Sequence, residues 1–141
     1  MRNKVIMVVD AQGGGLGRQL ITNIKKEFPD VTVIAVGTNS VATGNMLRAG
    51  ADEAATGENS MRVAGRKADI IIGPIGMVIA DAMMGEITPA AAAAIAQADA
   101  RRIMIPFSSC DNYIAGVSDA SMGKLIADAV GQLKKYLTED R

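Results

Sequence analysis

The chain contains no histidine and no tryptophan, and only one of its 141 residues, Cys110, is a cysteine. Histidine is the most common general base and the most common metal ligand in proteins. Its absence excludes zinc sites and Ser-His or Cys-His catalysis within one chain, and we therefore expect no metal site. A single cysteine cannot form an intrachain disulfide, which suits a reducing compartment.

Neither sign of charge is in excess, because 15 basic residues balance 15 acidic ones. Such a chain has no global field that would attract nucleic acid or an anionic membrane. Long hydrophobic runs are also missing, since the most apolar one, residues 70–80, is well short of the ~20 residues that cross a bilayer. Because the N-terminus lacks the layout of a signal peptide, we expect a cytoplasmic protein without nucleic-acid or membrane partners.

Apolar runs alternate with helical patterns along the chain, which predicts parallel strands joined by crossover helices. We predict a single Rossmann-like three-layer α/β domain over residues 1–141, with a mostly parallel sheet of about five strands and helices on both faces. The predicted strands cover residues 4–9, 31–36, 53–56, 69–72 and 102–107. The predicted helices cover residues 16–28, 40–49, 58–67, 89–100 and 120–137, and residues 74–86 are predicted to be mostly helical.

Residues 75–84 are apolar on nearly all sides when they are placed on a helix. Such a segment is either buried deeply inside the domain or part of a contact between subunits. On this observation we expect a homo-oligomer.

A glycine-rich loop, residues 13–17, lies between the first apolar strand and the first amphipathic helix. Glycines let the backbone approach a ligand, and the first amides of a helix carry the positive end of its dipole without intrahelical partners. This arrangement predicts a phosphate site. The alternative is that the glycines only permit a tight turn and close helix packing. The predicted site residues of the loop are Asp10, Gln12, Gly13, Gly14, Gly15, Leu16, Gly17 and Arg18.

The loop matches known phosphate-binding patterns only in part. The dinucleotide fingerprint G-x-G-x-x-G, started at Gly13, is met at Gly15 and fails at Arg18. The G-x-x-x-G-x-G spacing of short-chain dehydrogenases is met by Gly13 and Gly17 and fails at Gln19, and the P-loop pattern is absent. The loop therefore indicates a phosphate or nucleotide ligand without indicating a reaction.

The residues that follow the second strand, Gly37-Thr38-Asn39-Ser40, include no acid. An acid in this place would hold the ribose 2′-hydroxyl of NAD. Neutral amides and hydroxyls tolerate a 2′-phosphate, so a dinucleotide ligand would be NADP rather than NAD, with Thr38, Asn39 and Ser40 as contacts. The alternative is that Asn39 or Ser40 caps the second helix.

Asp10 complicates a simple dinucleotide site, because a carboxylate at the tip of the first strand would repel a pyrophosphate. An acid there suits Mg²⁺-assisted phosphoryl chemistry, although Ala11 and Gln12 supply no second acid. The alternative is a turn residue whose carboxylate bonds the loop amides.

Loops at the ends of the fourth and fifth strands complete the predicted site, since ligands of open parallel sheets bind outside the carboxyl ends of the strands. Gly73 and Pro74 follow the fourth strand, and Ser108 and Ser109 follow the fifth. Their small or polar side chains leave room for a ligand. No catalytic residue is assigned, because the thiol of Cys110 has no histidine to act as its base.

Five blocks are distinctive together: Val9-Asp10-Ala11-Gln12-Gly13-Gly14-Gly15-Leu16-Gly17-Arg18, Gly37-Thr38-Asn39-Ser40, Thr56-Gly57-Glu58-Asn59-Ser60, Asp69-Ile70-Ile71-Ile72-Gly73-Pro74 and Gly85-Glu86-Ile87-Thr88-Pro89. In combination they resemble a family of short, uncharacterised bacterial proteins, a domain of unknown function. The resemblance covers nearly the whole chain. It implies a stand-alone Rossmann-like domain from bacteria, with no activity or catalytic residue to transfer.

The leading hypothesis is a small nucleotide- or dinucleotide-binding domain, a sensor or accessory subunit, with its ligand at the glycine loop. The expected cofactor is NADP or another nucleotide, and the expected partner is a phosphate-containing small molecule. Two alternatives stay open. One is a phosphate-handling or reductase enzyme whose site is completed at a subunit interface, and the other is an interaction protein with a purely structural glycine loop.

Overall fold

Parallel strands form the centre of the structure, a computed structural model that describes residues 3–107, 111–117 and 120–139. Their order in the five-stranded sheet is β3-β2-β1-β4-β5, and every neighbouring pair is parallel. The predicted α/β fold is confirmed, with a sheet that is parallel throughout rather than mostly so. The strands are β1 (Val5–Asp10), β2 (Thr32–Gly37), β3 (Glu53–Thr56), β4 (Ile70–Pro74) and β5 (Arg101–Ile105).

Helices cover both faces of this sheet, as the sequence predicts. The α-helices in the described part of the chain are α1 (Gly15–Glu27), α2 (Ser40–Arg48), α3 (Glu58–Lys67), α4 (Pro89–Ala96) and α5 (Met122–Thr138). One hydrophobic cluster joins a face of the sheet to α1, α2 and α5, and a second joins the opposite face to α3, α4 and the residues between β4 and α4. No helix within the described ranges combines the length and the hydrophobicity that a bilayer crossing requires.

The central strand β1 is apolar on both sides because helices cover both of its faces. Successive side chains of a strand point to opposite faces, so Ile6 lies in the first cluster and Met7 in the second. The register pairs Asp10 with Gly37 of β2. The ends of β1 and β2 therefore lie level with each other, at the edge of the sheet where the glycine loop begins.

The segment after β4 differs from the sequence prediction, which made residues 74–86 mostly helical. Only a 3-10 turn forms there, Ile75–Val78. Asp81, Met83, Met84 and Gly85 all have positive φ, between 57° and 85°, and such left-handed backbone cannot continue a right-handed helix. Met83 is buried while Met84 is fully exposed, so packing within the domain accounts for part of the apolar composition of this segment.

The helix predicted over residues 89–100 is shorter in the structure, where α4 ends at Ala96. β5 begins at Arg101, which pairs with Ile70 of β4, so residues 97–100 are needed to return the chain to the sheet. The start of α4 is as predicted, because the Thr88 hydroxyl accepts the Ala91 N–H at 3.1 Å.

Gly73 lies where β4 passes β1 without space for a side chain. A Cβ added at Gly73 would lie 2.4 Å from the Val9 carbonyl oxygen and 2.7 Å from Val9 Cγ2. That oxygen belongs to a neighbouring strand, so it cannot move without disturbing the sheet. We predict that Gly73→Ala lowers the free energy of unfolding by about 1–3 kcal/mol, as overpacking of a core does.

Urea unfolding of the purified variants tests this prediction. The control is Gly131→Ala in the middle of α5, where an added Cβ meets nothing within 4 Å. This control should stabilise the protein by about 0.5–1 kcal/mol, because alanine loses less backbone entropy than glycine in a helix. Equal unfolding midpoints for the two variants would contradict the packing argument.

Candidate functional site

The candidate site lies at the carboxyl edge of the sheet, between β1 and β4. The strands β2 and β3 lie on one side of β1, and β4 and β5 lie on its other side, so the strand order reverses direction between β1 and β4. Ligands of open parallel sheets bind at such a switch point. A cavity of about 360 Å³ opens there, lined by residues 10–16, Gln19, Pro74, Met83, Phe107 and Met122.

A larger hollow of about 720 Å³ lies at the opposite edge of the sheet. Alanines of α4 line it together with Lys4, Arg62 and Arg66. It lies at the amino ends of β1, β4 and β5, away from the glycine loop. The smaller cavity is therefore the candidate site.

The glycine loop makes a tight turn and then packs closely on α2. The Gly14 N–H donates to the Ala11 carbonyl oxygen at 3.0 Å, and Gln12 and Gly14 have φ of 51° and 72°. A Cβ at Gly17 would lie 2.5 Å from Met46 Sδ. In the dinucleotide fingerprint the first position makes the tight turn and the third allows close helix packing.

The fingerprint therefore fits the structure with Gln12 in the first position, Gly14 in the second and Gly17 in the third. This frame begins one residue before the G-x-G-x-x-G frame that starts at Gly13 in the sequence. A Cβ at Gly13 or Gly15 would meet nothing within 4 Å. Neither of these two glycines is required by packing, although both line the cavity.

The Asp10 carboxylate is buried beneath the loop, with 5% of its surface exposed. Its Oδ1 accepts the Ala11 N–H at 2.8 Å, and its Oδ2 accepts the Gly17 N–H at 2.7 Å. Gly14 at the N-cap of α1 has no side chain to offer, so Asp10 caps this helix from the end of β1. The geometry is that of the alternative role predicted for Asp10, a carboxylate that bonds the loop amides.

Burial raises the pKa of Asp10 above its ordinary value of 3.8. The two amide hydrogen bonds oppose this shift, and the nearby Glu86 carboxylate adds to it. Because burial penalises the charged form, Asp10 is held in place at an electrostatic cost that its two hydrogen bonds offset in part.

Three backbone N–H groups in the loop and the first turn of α1 stay available to a ligand. Those of Gly13, Gly15 and Leu16 donate to no acceptor within residues 3–107, 111–117 and 120–139. The Asn45 amide donates to the Gly13 carbonyl oxygen at 2.7 Å, which holds the loop in this orientation. Arg18 on the first turn of α1 is exposed, and its guanidinium has no partner in the described structure. These groups form a positive pole beside the cavity.

Glu86 contacts the glycine loop beside the cavity without lining it, and the sequence did not reveal this contact. Its Oε2 accepts the Gln12 N–H at 2.5 Å, and its Oε1 accepts Asn39 Nδ2 at 3.1 Å. Its carboxylate therefore lies between the glycine loop and the end of β2, where the sequence itself places no acid. Residues 12 and 86 are 74 positions apart, and no spacing rule connects them. The reason for expecting a 2′-phosphate, a neutral end of β2, is thereby removed.

The remaining predicted residues are distributed around the loop. Asn39 caps α2 by accepting the Ala42 N–H at 2.9 Å, as its alternative role predicted, and Ser40 begins that helix. The Thr38 N–H donates to the Asp10 carbonyl oxygen at 3.2 Å. Six predicted site residues do not line the cavity, whereas Pro74 does: Gly17, Arg18, Thr38, Asn39, Ser40 and Gly73. Ser108 and Ser109 lie outside the described residues.

Metal ligands are sparse at this edge. Asp10 and Glu86 lie near each other, but within the described ranges no three His, Cys, Asp or Glu side chains group closely enough to hold an ion.

A parallel sheet of this strand order, with a glycine loop at its switch point, defines a Rossmann-like α/β protein. The chain belongs to the family described as a domain of unknown function, DUF3842, whose model matches residues 5–138. This match confirms the resemblance that the five sequence blocks indicate.

Two solved structures are similar in fold at low identity. A dodecameric FMN-dependent UbiX-like decarboxylase from Escherichia coli O157:H7 is 16% identical, with a TM-score of 0.46 over 94% of this chain and 75% of the decarboxylase. The D-arabinose dehydrogenase from Sulfolobus solfataricus is 14% identical, with a TM-score of 0.49 over 96% of this chain and 44% of the dehydrogenase. This chain thus spans under half of the dehydrogenase. Among curated proteins the sequence has no match.

The titration of Asp10 predicts a pH dependence of stability. Because its pKa is raised above 3.8 by burial, the stability that protonated Asp10 contributes is fully present below pH 3.8 and is lost as the pH rises through the raised pKa. Asp10→Asn removes this titration. We therefore expect the free energy of unfolding of the wild type, relative to Asp10→Asn, to fall as the pH rises through this window.

Urea unfolding at a series of pH values measures this difference. Asp52→Asn is the matched control, because the Val33 N–H and Lys25 hold the pKa of Asp52 below 3.8. Its contribution is present above pH 3.8 and is lost as the pH falls through the lowered pKa, so its slope should have the opposite sign. Parallel pH profiles for the two variants would show that burial does not dominate at Asp10.

Proposed function

We propose that this chain is a small nucleotide-binding domain whose ligand places a phosphate on the glycine loop. One observation supports this proposal most strongly. Gly13 and Gly15 line the cavity, have no packing reason to be glycine, and carry N–H groups without acceptors in the described chain. Backbone without side chains, beside free N–H groups at a helix start, is suited to phosphate binding.

The phosphate is expected on the N–H groups of Gly13, Gly15 and Leu16, at the positive end of α1. Arg18 on the first turn adds a cation that is exposed to solvent. The cavity volume of about 360 Å³ is near the lower end of the range of ~300–1,000 Å³ typical of ligand pockets. This volume favours a single nucleotide unit in the cavity, with any second unit of a dinucleotide outside it.

The identity of the nucleotide is a separate question. The neutral residues at the end of β2 predict NADP from the sequence, but Glu86 brings a carboxylate to that place. A 2′-phosphate would meet this negative charge. The geometry therefore favours an unphosphorylated ribose over the NADP-type ligand, and a sensor or accessory role stays compatible with either.

The two alternative functions are supported less well. A purely structural loop accounts for Gly14 and Gly17, which lack space for a side chain, but it does not account for Gly13 and Gly15. For an enzyme completed at a subunit interface, Glu86 would supply a second acid beside Asp10. However, both oxygens of Asp10 already accept backbone N–H groups, so this carboxylate is engaged by the loop. The homo-oligomer that this enzyme requires stays a prediction, and light scattering would test it.

A charge placed at Gly15 separates ligand binding from folding. We predict that Gly15→Asp lowers the affinity for the phosphate-bearing ligand by about tenfold or more, equivalent to ~1.4 kcal/mol, because the new carboxylate competes for the same N–H groups. The variant should fold as well as the wild type, since an anion in the first turn stabilises a helix and an added Cβ meets nothing within 4 Å.

A thermal-shift panel of NAD, NADP, FMN, FAD, ATP, ADP and coenzyme A on the wild type would first identify a ligand. Calorimetry would then measure the affinity of the wild type and of the variants for that ligand. A ligand at ~100 times its dissociation constant stabilises a protein by about 2.7 kcal/mol. The matched control is Gly15→Asn, which has the same shape without the charge and should keep most of the affinity. Equal affinities of the Asp and Asn variants, or a wild type that binds no member of the panel, would refute the proposal.

A further inference from the structure

Glu86 occupies a place that has a defined role in nucleotide sites of this strand order. An acid at the end of β2 holds the ribose 2′-hydroxyl in such sites, whereas β2 of this chain is followed by Thr38 and Asn39. Glu86 approaches from the opposite half of the sheet, from the connection between β4 and α4. Its two carboxylate oxygens contact Asn39 Nδ2 and the Gln12 N–H.

We propose that the Glu86 carboxylate recognises the ribose hydroxyls of the nucleotide and rejects a 2′-phosphate. This inference rests on the proposed function, because it requires the phosphate of the ligand to lie on the glycine loop. It names the ligand class more narrowly, as a ribonucleotide with a free 2′-hydroxyl.

The hydrogen-bonding capacity of Glu86 is not exhausted by its contacts. Each oxygen of an ionised carboxylate accepts up to two hydrogen bonds, and each Glu86 oxygen has one protein donor, Gln12 or Asn39. A ribose hydroxyl supplies the missing donor. A 2′-phosphate supplies only acceptors and negative charge, and the half-buried position of Glu86 weakens the screening of that repulsion by salt.

The backbone that carries Glu86 is fixed on both sides. The Asp81 N–H donates to the Ile87 carbonyl oxygen at 2.7 Å, and the Ile87 N–H donates to the Ala82 carbonyl oxygen at 3.2 Å. Ile87 and Met83 are buried in the second hydrophobic cluster. Glu86 is therefore presented by an ordered turn rather than by a free surface loop, which is what a selective contact requires.

In a second interpretation of the same contacts, the Glu86 carboxylate occupies the position of a ligand anion, and the ligand displaces it when it binds. Its Oε2 lies on the Gln12 N–H as a ligand oxygen would. Under that interpretation, removing the charge strengthens the binding of every anion alike. Under our proposal, removing the charge changes the choice between a 2′-hydroxyl and a 2′-phosphate. The ratio of two affinities therefore separates the interpretations.

The test is calorimetry of the wild type and Glu86→Gln with three probes: NAD, NADP and inorganic pyrophosphate. We expect the wild type to prefer NAD to NADP by about tenfold or more, equivalent to ~1.4 kcal/mol. In Glu86→Gln, NAD should bind more weakly and NADP more tightly, so that the preference is lost. The matched control is Glu58→Gln, which removes the same charge at the same edge. The Glu58 carboxylate contacts Thr88 instead of the loop, so the control should keep the wild-type preference.

A ligand series on the wild type tests the same inference without any variant, in case Glu86→Gln does not fold. AMP should bind more tightly than 2′-deoxy-AMP and than adenosine 2′,5′-bisphosphate. Equal binding of the three ligands, or a uniform gain for NAD, NADP and pyrophosphate in Glu86→Gln, would overturn the inference and leave the proposed function standing. A wild type that binds none of these probes would overturn the inference. The proposed function would fall with it only if FMN, FAD, ATP, ADP and coenzyme A also failed to bind.

Discussion

The Asp10 carboxylate holds together the elements from which the candidate site is built. Its hydrogen bond from the Gly17 N–H joins the end of β1 to the third residue of α1, and its other hydrogen bond comes from the neighbouring Ala11 N–H. Because α1 has a glycine at its N-cap, this buried carboxylate satisfies an N–H group that would otherwise have no acceptor. The close packing of Gly17 on Met46 depends on the same approach of the helix to the strand.

The carboxylates of Asp10 and Glu86 divide the N–H groups of the loop into two sets. The chain's own carboxylates accept those of Ala11, Gln12 and Gly17. The N–H groups of Gly13, Gly15 and Leu16 stay open on the cavity side, as far as the described residues show. The positive end of the α1 dipole is thus compensated only in part. A phosphate bound as we propose would use these open N–H groups, and the Glu86 carboxylate lies on Gln12 of the same loop.

Much of the architecture was predictable because it follows from local patterns. Uninterrupted apolar strands predict a parallel sheet covered on both faces, and Thr88 before Pro89 predicts the start of α4. The irregular backbone of residues 81–85 was not predictable. Its apolar residues resemble a buried helix, whereas Met83 and Met84 adopt positive φ because the segment turns back on itself through the Asp81–Ile87 hydrogen bond.

The candidate site shows the same division between local and distant information. The strand, the glycine loop and the helix could be predicted from the sequence alone. Residues 10–18 are neighbours in the chain, and the spacing of their glycines indicates a turn. Only the folded structure showed that the fingerprint begins at Gln12 and that an acid, Glu86, lies beside the end of β2. Gln12 could be placed at the first position once its φ and the packing of Gly17 were known. Only the fold places Glu86 beside Gln12, because the two residues are 74 positions apart in the chain and a crossover of the sheet brings them together.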